Sequence, residues 1–558
     1  MADCRMRQTR WLSLFLLIAV LAVACRAAPN RVAETAATAA PATTRPTPTR
    51  VAAATTVPPP ATVPSPAPPA VSTPVPPVSP VPTTRAVNIG ELLALSSLQP
   101  VDCPADVSAD QVSCSIAVLP LDSYAPVAGE NVELMVAFVD NGDPNGVGPV
   151  AFLQGGPGVG SVTAARNFVG ATHDVLFVDQ RGTGYSNPKL NCPEVDDLWL
   201  AHYTDDPAVR IPDDESMVTA SYQACATRLM ASGINFDHFN TTAAAADVEL
   251  LRQLFGYDEW SIWGISYGTR LGLTIMRDHP NGVRSAVLDS VVPFEVDFFA
   301  AIPENGIRSM TALDQACDDD RCAADHGDFL DNLSALVLEL NQNPVVVSAT
   351  RPGTGDTFPF RVDGETLVDL VFTQLYSTGS LRALPRQIAR ADAGGLNEIV
   401  ATFMTRRDPN AFDLSIGLYY TTWCREELPF YDDSGDDDLL RSLEPRFGDA
   451  VAGALSSDGV QQLCDFFMVA PSAPLDDEPL ESPIPTLVFA GTFDPITPPA
   501  WSKQVADALS NSTYVELADH GHGMATSCPA NIRLAFLIDP SASVDTTCAD
   551  DTGAPDFE

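Results

Sequence analysis

Short, mostly apolar runs recur along the chain between residues 150 and 517, and polar or helix-like stretches separate them. Runs of this length without a regular polar alternation are typical of strands buried on both faces of a parallel sheet. Six of them predict strands: Val150–Leu153, Val175–Asp179, Ser261–Gly264, Ser285–Asp289, Pro485–Ala490 and Thr513–Leu517. Two earlier runs, Ser115–Leu121 and Val132–Asp140, predict an antiparallel pair that opens the same sheet.

Helix-like stretches lie between most of the predicted strands. One of them, Ala243–Phe255, follows Thr241 and Thr242, and threonine is a residue type that caps helices. Alternation of strands and helices indicates an α/β fold with a doubly wound, mostly parallel sheet, here of eight strands.

The stretch from residue 292 to residue 482 has amphipathic helical patterns and few strand signals. It separates the strands Ser285–Asp289 and Pro485–Ala490, and it would cover the carboxyl ends of the strands, where ligands bind in such sheets. We therefore expect a core formed by residues 87–291 and 483–558, with residues 292–482 as a helical cap inserted into it.

The first 25 residues have the pattern of an export signal. Three arginines precede the apolar run Leu12–Ala24, which is too short to span a membrane, and Cys25 follows it directly. This order resembles a bacterial lipoprotein signal, in which Cys25 becomes the lipidated first residue; a plain secreted protein is the alternative. Either one predicts a protein that works outside the cytoplasm, and the lipid on Cys25 would be its membrane attachment.

Residues 26–86 are rich in Pro, Ala and Thr and nearly free of aromatic residues, so this segment is predicted to be a disordered linker. The remainder of the chain is strongly acidic. Residues 87–558 contain 23 of the 31 Lys and Arg but 70 of the 72 Asp and Glu. This excess of negative charge argues against nucleic acid and anionic lipid as partners.

Ten of the twelve cysteines lie beyond the signal, at positions 103, 114, 192, 225, 317, 322, 424, 464, 528 and 548. An even number in an exported protein argues for disulfides, and neither a Cys-x-x-Cys pair nor a histidine cluster suggests a metal site. Ten cysteines allow many connectivities. Their spacing favours pairing of near neighbours, as 103–114, 192–225, 317–322, 424–464 and 528–548.

The stretch Gly264-Ile-Ser-Tyr-Gly268 follows a predicted strand and opens a predicted helix. The G-x-S-x-G spacing at such a junction places the serine on a strained turn, with its hydroxyl exposed above the sheet. Three fixed residues also recur by chance, but the strand before them and the helix after them favour the functional interpretation. Ser266 is therefore the candidate nucleophile.

A serine nucleophile needs a base, and the base needs a carboxylate that orients it. His522 and His520 both follow the last predicted strand, and Asp494 follows the seventh. The order Ser266, Asp494, His522 is the one expected of an α/β-hydrolase. Asp289 is a lower-ranked alternative acid.

The Gly-rich stretch at residues 154–158 directly follows the strand Val150–Leu153. Glycines there allow backbone N–H groups to approach a substrate carbonyl. We expect one oxyanion donor from Gly155 or Gly156 and the other from the Tyr267 amide. A phosphate-binding loop is the alternative, but the Gly-Lys-Ser/Thr that would mark it does not follow.

With these residues in view, the chain resembles the tripeptidyl aminopeptidase and prolyl iminopeptidase group of α/β-hydrolases. The resemblance covers roughly residues 100–550 and rests on several motifs: Gln-Gly-Gly-Pro-Gly at 154–158, Val178–Ser186 with Asp-Gln-Arg-Gly at 179–182, Thr241–Asp247, Gly-Ile-Ser-Tyr-Gly-Thr at 264–269, Val287–Asp289, Asp494–Pro498 and Gly-His-Gly at 521–523 before Cys528. The last match selects His522 over His520. Prolyl iminopeptidases carry His at the position of Gln154, so the resemblance points to the tripeptidyl branch.

The resemblance implies an exported serine exopeptidase that acts on peptides from a free N terminus and needs no metal or cofactor. The segment Tyr420–Phe430 resembles the cysteine-plus-acid stretch of the family, which implies that Glu426 and Glu427 bind the substrate ammonium group. Two alternatives stay open. One is a carboxylesterase or lipase on the same fold, and the other is a non-catalytic surface-binding protein.

Overall fold

A nine-stranded sheet forms the centre of the computed structural model, which describes residues 87–558 except 197, 207–214, 319–320, 406–413, 431–444, 448, 456–458 and 554. The strands of this sheet are β1 (Ser97–Val101), β2 (Val112–Pro120), β3 (Asn131–Val139), β4 (Val150–Leu153), β5 (Val175–Val178), β6 (Trp260–Ile265), β7 (Val283–Asp289), β10 (Thr486–Gly491) and β11 (Ser512–Leu517). A separate hairpin consists of β8 (Val345–Thr350) and β9 (Thr357–Val362).

The strand order is β1-β2-β3-β5-β4-β6-β7-β10-β11. The first four strands in this order pair antiparallel, and all pairs from β5 to β11 are parallel. All eight predicted strands are present. The prediction missed β1, because its residues are mostly exposed at the sheet edge and show no apolar pattern.

Helices cover both faces of the sheet. Successive residues of β6 point to opposite sides, so that Ile262 packs in one apolar cluster with Leu251 and Leu271, while Trp263 packs in another with Phe536. This two-sided burial explains why the parallel strands are apolar throughout. The α-helices within the described residues are Ile89–Ala94, Leu198–Tyr203, Glu215–Ala231, Thr241–Leu254, Tyr267–Asp278, Ile302–Asp318, Cys322–His326, Phe329–Gln342, Gly364–Leu375, Thr378–Leu381, Leu384–Ala389, Gly395–Thr405, Ile416–Glu426, Asp449–Leu455, Val460–Phe467, Pro499–Ala508, Ser527–Ile538 and Thr547–Asp550.

The chain between β7 and β10 is mainly helical, and we call residues 292–482 the insert. Its helices pack in an apolar cluster that includes Phe372, Trp423 and Phe467, and residues outside the insert, such as Tyr222 and Trp501, belong to the same cluster. The insert, expected as a helical cap with few strand signals, also contains one hairpin, formed by β8 and β9. Its sequence signal was present: β8 is rich in β-branched residues, and Pro352 and Gly353 lie in the turn.

All five predicted disulfides are present: Cys103–Cys114, Cys192–Cys225, Cys317–Cys322, Cys424–Cys464 and Cys528–Cys548. Each one closes a loop of 5 to 40 residues in sequence separation, so the pairing of near neighbours is confirmed.

The predicted signal at residues 1–25, the lipidation site Cys25 and the linker at residues 26–86 lie outside the described residues. Within the described part of the chain, every helix is too short or too polar to cross a bilayer. The boundaries of the core and the insert stay predictions.

Candidate active site

Ser266 lies on a sharp turn between β6 and the helix Tyr267–Asp278, which we call the elbow helix. Its φ of 56° and ψ of −130° are strained for a residue with a side chain. The Ser266 backbone N–H donates to the carbonyl of Asp289 at the end of β7, over 3.0 Å. This bond holds the turn against the neighbouring strand, and a fixed turn of this shape is what the G-x-S-x-G pattern predicted.

Two glycines of the pattern are required by space. A Cβ atom on Gly268 would overlap the carbonyl oxygen of Leu153, and one on Gly264 would overlap the carbonyl oxygen of Gly268. The elbow helix therefore packs directly on the backbone of β4 and β6. Any side chain at these positions would displace Ser266.

Asp494 and His522 form a buried hydrogen-bonded pair. His522 Nδ1 lies 2.7 Å from Asp494 Oδ2, and both side chains are buried. Burial alone would raise the pKa of Asp494, but His522 and the backbone N–H groups of Thr497 and Ile496 hold this pKa below its usual value. Asp494 is thus held as a carboxylate that can orient an imidazole.

The other ring nitrogen of His522, Nε2, is shielded from solvent and has no hydrogen-bond partner within the described residues. The His522 loop is tied to the end of β7, because Gly523 N–H donates to Ser290 Oγ over 3.0 Å and Met524 N–H donates to Asp289 Oδ2 over 3.1 Å. Asp289 is also the residue that accepts from Ser266. Ser266 and the His522 loop are therefore both anchored on Asp289, and Ser290 holds the loop at a second point.

Asp289, the alternative acid, has a different task in this geometry. Its carboxylate accepts from the backbone of Met524, whereas Asp494 contacts the His522 ring. Burial raises the pKa of Asp289 to about 6, and the nearby Arg533 opposes this shift. A carboxyl group of this kind braces the loop and is a poorer partner for an imidazolium.

His520, the alternative base, has both ring nitrogens engaged. Nδ1 lies 2.5 Å from Asp519 Oδ1, and Nε2 lies 2.7 Å from the hydroxyl of Thr526. Asp519 in turn pairs with Arg382 over 2.9 Å. His520 is thus part of a separate hydrogen-bond network, while Nε2 of His522 has no partner among the residues that the structure describes.

The Gly-rich loop that follows β4 lies against the nucleophile. A Cβ atom on Gly155 would stand 2.8 Å from Ser266 Cβ and 3.3 Å from Ser266 Oγ. The side chain of Gln180 donates to the carbonyl of Gln154 over 3.0 Å, which fixes the peptide plane that precedes Gly155. Gly156 has a φ of 117°, a value that suits glycine.

Tyr267 is the first residue of the elbow helix, where backbone N–H groups lack an intrahelical acceptor. The three predicted donor positions therefore lie in two segments next to Ser266. Gly155 and Gly156 are in the loop packed against it, and Tyr267 begins the elbow helix.

The Asp-Gln-Arg-Gly stretch at 179–182 supports the segment that follows the Gly-rich loop. Asp179 accepts backbone N–H groups from Ser161, Val162 and Tyr185 at 2.6, 3.0 and 2.7 Å. Arg181 makes a two-pronged ion pair with Asp247 at 2.7 Å for each contact. Two separate motifs of the sequence therefore meet in one buried salt bridge.

Glu426 and Glu427, the predicted amine-binding residues, are buried at the end of the insert helix Ile416–Glu426. Glu426 accepts from the backbone N–H and the hydroxyl of Thr241, at 2.8 and 2.6 Å. Arg270 on the elbow helix lies 2.6 Å from Glu427 Oε1, an ion pair that is not aligned as a hydrogen bond. Burial raises the pKa of Glu427 to about 8, against the attraction of Arg270.

These two carboxylates therefore connect the insert to the elbow helix. The Thr241 hydroxyl also bonds to the Tyr267 hydroxyl over 2.8 Å, so the network reaches the residue next to Ser266. Sequence reasoning missed Arg270, although an arginine in the apolar face of a buried helix was a visible signal. The amine-binding role of Glu426 and Glu427 stays a prediction.

Contacts from the insert to the acid and base loops were also missed. The carbonyl of Tyr376 accepts from the His522 backbone N–H over 2.9 Å, and the two rings make an edge contact with centroids 5.3 Å apart. On the other side, Arg308 and Ser309 donate to carbonyls of the Asp494 loop. Local sequence patterns carry no signal for contacts between residues so far apart in the chain.

Two family models match the chain. Residues 148–316 match the model described as alpha/beta hydrolase fold, and residues 449–548 match the one described as TAP-like protein. The first match contains Ser266 and the Gly-rich loop, and the second contains Asp494 and His522.

Several characterised or named proteins are similar in sequence. The chain is 21% identical to putative hydrolase YuaR of Escherichia coli, with 79% of this chain and 89% of YuaR aligned. It is 23% identical to serine protease Hip1 of Mycobacterium tuberculosis, over 72% of this chain and 79% of Hip1. It is 27% identical to tripeptidyl aminopeptidase of Streptomyces coelicolor, over 34% of this chain and 37% of that relative.

The sheet order and the first family-model match define the class of fold: the chain has the α/β-hydrolase fold, and its named relatives include a serine protease and a tripeptidyl aminopeptidase. Within that class, the TAP-like match and the named relatives confirm the resemblance to tripeptidyl aminopeptidases that the sequence motifs predicted.

Proposed function

We propose that this protein is an exported serine exopeptidase that hydrolyses peptides from a free N terminus. The observation that carries the proposal is the hydrogen bond between Asp494 and His522, on a loop anchored beside the strained Ser266. The three residues occur in the chain order of an α/β-hydrolase triad.

The proposed reaction is acyl transfer through an acyl-enzyme. His522 Nε2 takes the proton of Ser266 Oγ as that oxygen attacks the peptide carbonyl. Asp494 holds the Nδ1–H tautomer and stabilises the imidazolium that forms. The tetrahedral intermediate collapses when the peptide C–N bond breaks, and His522 gives its proton to the leaving amine. Water then repeats the attack on the ester and releases the peptide fragment and free Ser266.

The negative charge of the tetrahedral oxygen needs donors that are already in place. The Tyr267 amide and the Gly155 or Gly156 amide are proposed to supply them, at the start of the 12-residue elbow helix and in the loop packed on Ser266. The helix dipole adds to this stabilisation, because the N-terminal end of a helix favours negative charge.

The exopeptidase step requires recognition of a free ammonium group. Glu426 and Glu427 are the proposed amine-binding residues, since buried carboxylates close to the elbow helix would pair with a substrate cation and would be left unpaired by a blocked substrate. The relatives named tripeptidyl aminopeptidase and proline iminopeptidase support this specificity. Both carboxylates already have internal partners, so the role requires that a substrate ammonium group share or replace Arg270.

Export is supported by the five disulfides, which fit an oxidising compartment. The lipid on Cys25 is the proposed membrane attachment.

A substrate panel tests the proposal. We expect the enzyme to cleave free-amine tripeptidyl arylamides and to leave longer blocked peptides intact. It should cleave the N-acetylated arylamides at least about tenfold less well, which is the loss expected for one charge-assisted contact. Equal cleavage of acetylated and free peptides would refute the exopeptidase assignment. Turnover of acyl esters without turnover of any arylamide would identify a carboxylesterase instead.

A further inference from the structure

One arginine of the insert contacts the loop that carries Asp494. Arg308 lies on the helix Ile302–Asp318, and its guanidinium donates through Nη1 to the carbonyl of Thr492 over 2.8 Å and through Nη2 to the carbonyl of Asp494. The neighbouring Ser309 hydroxyl donates to the carbonyl of Phe493 over 2.6 Å. Three successive carbonyls of the acid loop are thus held from the insert.

The charge of Arg308 is not matched by an ordinary salt bridge. Among the described residues, no carboxylate lies within 4 Å of its guanidinium, and its buried Nε has no hydrogen-bond partner. Asp494 and, farther away, Glu516 supply the negative charge that faces it. Desolvating a guanidinium that only carbonyl oxygens accept from costs free energy. We therefore expect the position or the charge of Arg308 to serve another group.

The groups around the acid and base pair define what this charge can do. Asp494 bonds to His522, and Asp289, with Arg533 nearby, lies on the other side of the His522 loop. A positive charge behind Asp494 favours the carboxylate and disfavours the imidazolium at His522. Removing this charge while the residue keeps its length is therefore the change that tests whether Arg308 acts on the pair.

We propose that Arg308 is a positioning residue for the Asp494–His522 pair: it fixes the acid loop through its carbonyls and sets the working pH range of the base. This inference rests on the proposed function, because it presumes that His522 activates Ser266. If Arg308 were only a structural contact, its charge would have no effect on the base. The charge and the packing of residue 308 must therefore be varied separately.

The test uses the full-length protein and the rate at which a fluorophosphonate probe labels Ser266, measured as a function of pH. This readout needs the base but does not need the natural substrate. Arg308→Met removes the charge and keeps the length, Arg308→Lys keeps the charge with fewer donors, and Arg386→Met is the matched control. Arg386 is also on the insert, but its side chain pairs with Glu398 and Glu558.

For Arg308→Met we expect the maximal labelling rate to fall by about tenfold or more, because the acid loop loses its anchor. We also expect the acid limb of the pH profile to move upward by roughly half a pH unit. Arg308→Lys should keep the acid limb of the pH profile near its original pH but lower the maximal labelling rate in part. Arg386→Met should match the unmutated protein in both.

Several outcomes would overturn the inference. A folded Arg308→Met protein with an unchanged limb would reduce Arg308 to a structural contact, and so would loss of folding in both Arg308 variants. Complete absence of labelling in the unmutated protein would overturn the proposed function, and this inference with it. Normal labelling in every variant would overturn this inference alone.

Discussion

His522 contacts Asp494 through Nδ1 over 2.7 Å, and its Nε2 is buried without a partner in the described part of the chain. A neutral imidazole whose Nδ1–H is taken up by a carboxylate has its lone pair on Nε2, and that lone pair can accept a proton. The relationship therefore assigns the two nitrogens different tasks.

Ser266→Ala should abolish hydrolysis and labelling by a fluorophosphonate, because the only proposed nucleophile is gone. Mass spectrometry of the labelled, unmutated protein should find one modified peptide, and it should contain Ser266. Ser285→Ala is a suitable control, since the Ser285 hydroxyl is buried in the sheet and bonds to Ser261 over 2.8 Å. Labelling that persists in Ser266→Ala would rule out this nucleophile.

His522→Ala should lower kcat by several orders of magnitude without unfolding the protein, as expected for a lost general base. His520→Ala should have a smaller effect, mainly on thermal stability, because its ring bonds to Asp519 and Thr526. Rate measurements beside melting curves separate the two. If His520→Ala is the variant that loses turnover, the choice between the histidines is wrong.

Asp494→Asn should reduce kcat by about four orders of magnitude, because an amide would stabilise the wrong tautomer of the imidazole. Asp289→Asn should stay within a few-fold of the unmutated rate. Comparable losses in both variants would contradict a single orienting acid.

Asp289→Asn should also change how stability depends on pH. Burial raises the pKa of Asp289 from 3.8 to about 6, so the folded protein holds this proton more tightly than the unfolded chain. The stabilisation is complete below the lower value and is lost as the pH rises through about 6. Urea unfolding between about pH 4 and about pH 7 should therefore show a shallower decline for the variant, and parallel curves would contradict the shift.

Gly155→Ala should greatly reduce turnover, because the new methyl group would stand 2.8 Å from Ser266 Cβ and 2.9 Å from the carbonyl oxygen of Ile265. Gly379→Ala is the matched control, since the nearest atom to its methyl group would be 3.8 Å away. The measurement is kcat on one arylamide together with the melting temperature. Full activity of Gly155→Ala would mean that the loop can withdraw from the nucleophile.

Glu426→Gln should lower kcat/KM for a free-amine tripeptidyl arylamide by about ten- to a hundredfold, which corresponds to about 1.5–3 kcal/mol for a charge-assisted hydrogen bond. A small acetate ester should be hydrolysed almost as before. Glu398→Gln is the control, because Glu398 pairs with Arg386 on the insert surface. Equal losses on both substrates would indicate that Glu426 only ties the insert to Thr241.

The sheet could be predicted because each parallel strand is buried on both faces, and burial leaves an apolar run in the sequence. Val150–Leu153 was predicted with the bounds the structure has. The edge strand β1 could not be, since its residues Ser97–Val101 are mostly exposed and a proline lies among them. The disulfides between near neighbours were predictable for another reason: two cysteines that are close in sequence need only a short loop to come together.

The candidate site was less predictable than the sheet. Ser266 has a local pattern, whereas the choice of His522 over His520 depended on the resemblance of residues 521–523 to a family motif. The hydrogen bonds of the two rings now provide a physical difference between them. Arg270 and Arg308 contribute through contacts with Glu427 and with the Asp494 loop, more than 150 positions away along the chain. Such pairings depend on how the insert docks, and local periodicity cannot report that.

The hydrogen bonds that the Tyr376 carbonyl accepts from His522 and that Arg308 donates to the Asp494 loop have a consequence for protein engineering. A segment that only covered a cleft could be exchanged between relatives to change which substrates enter. Here the same segment supports the acid and the base, so a chimaera would transplant part of the catalytic alignment together with the entrance. Selectivity and turnover are thus expected to change together whenever this segment is swapped, and a graft would need its own matched loops after β10 and β11.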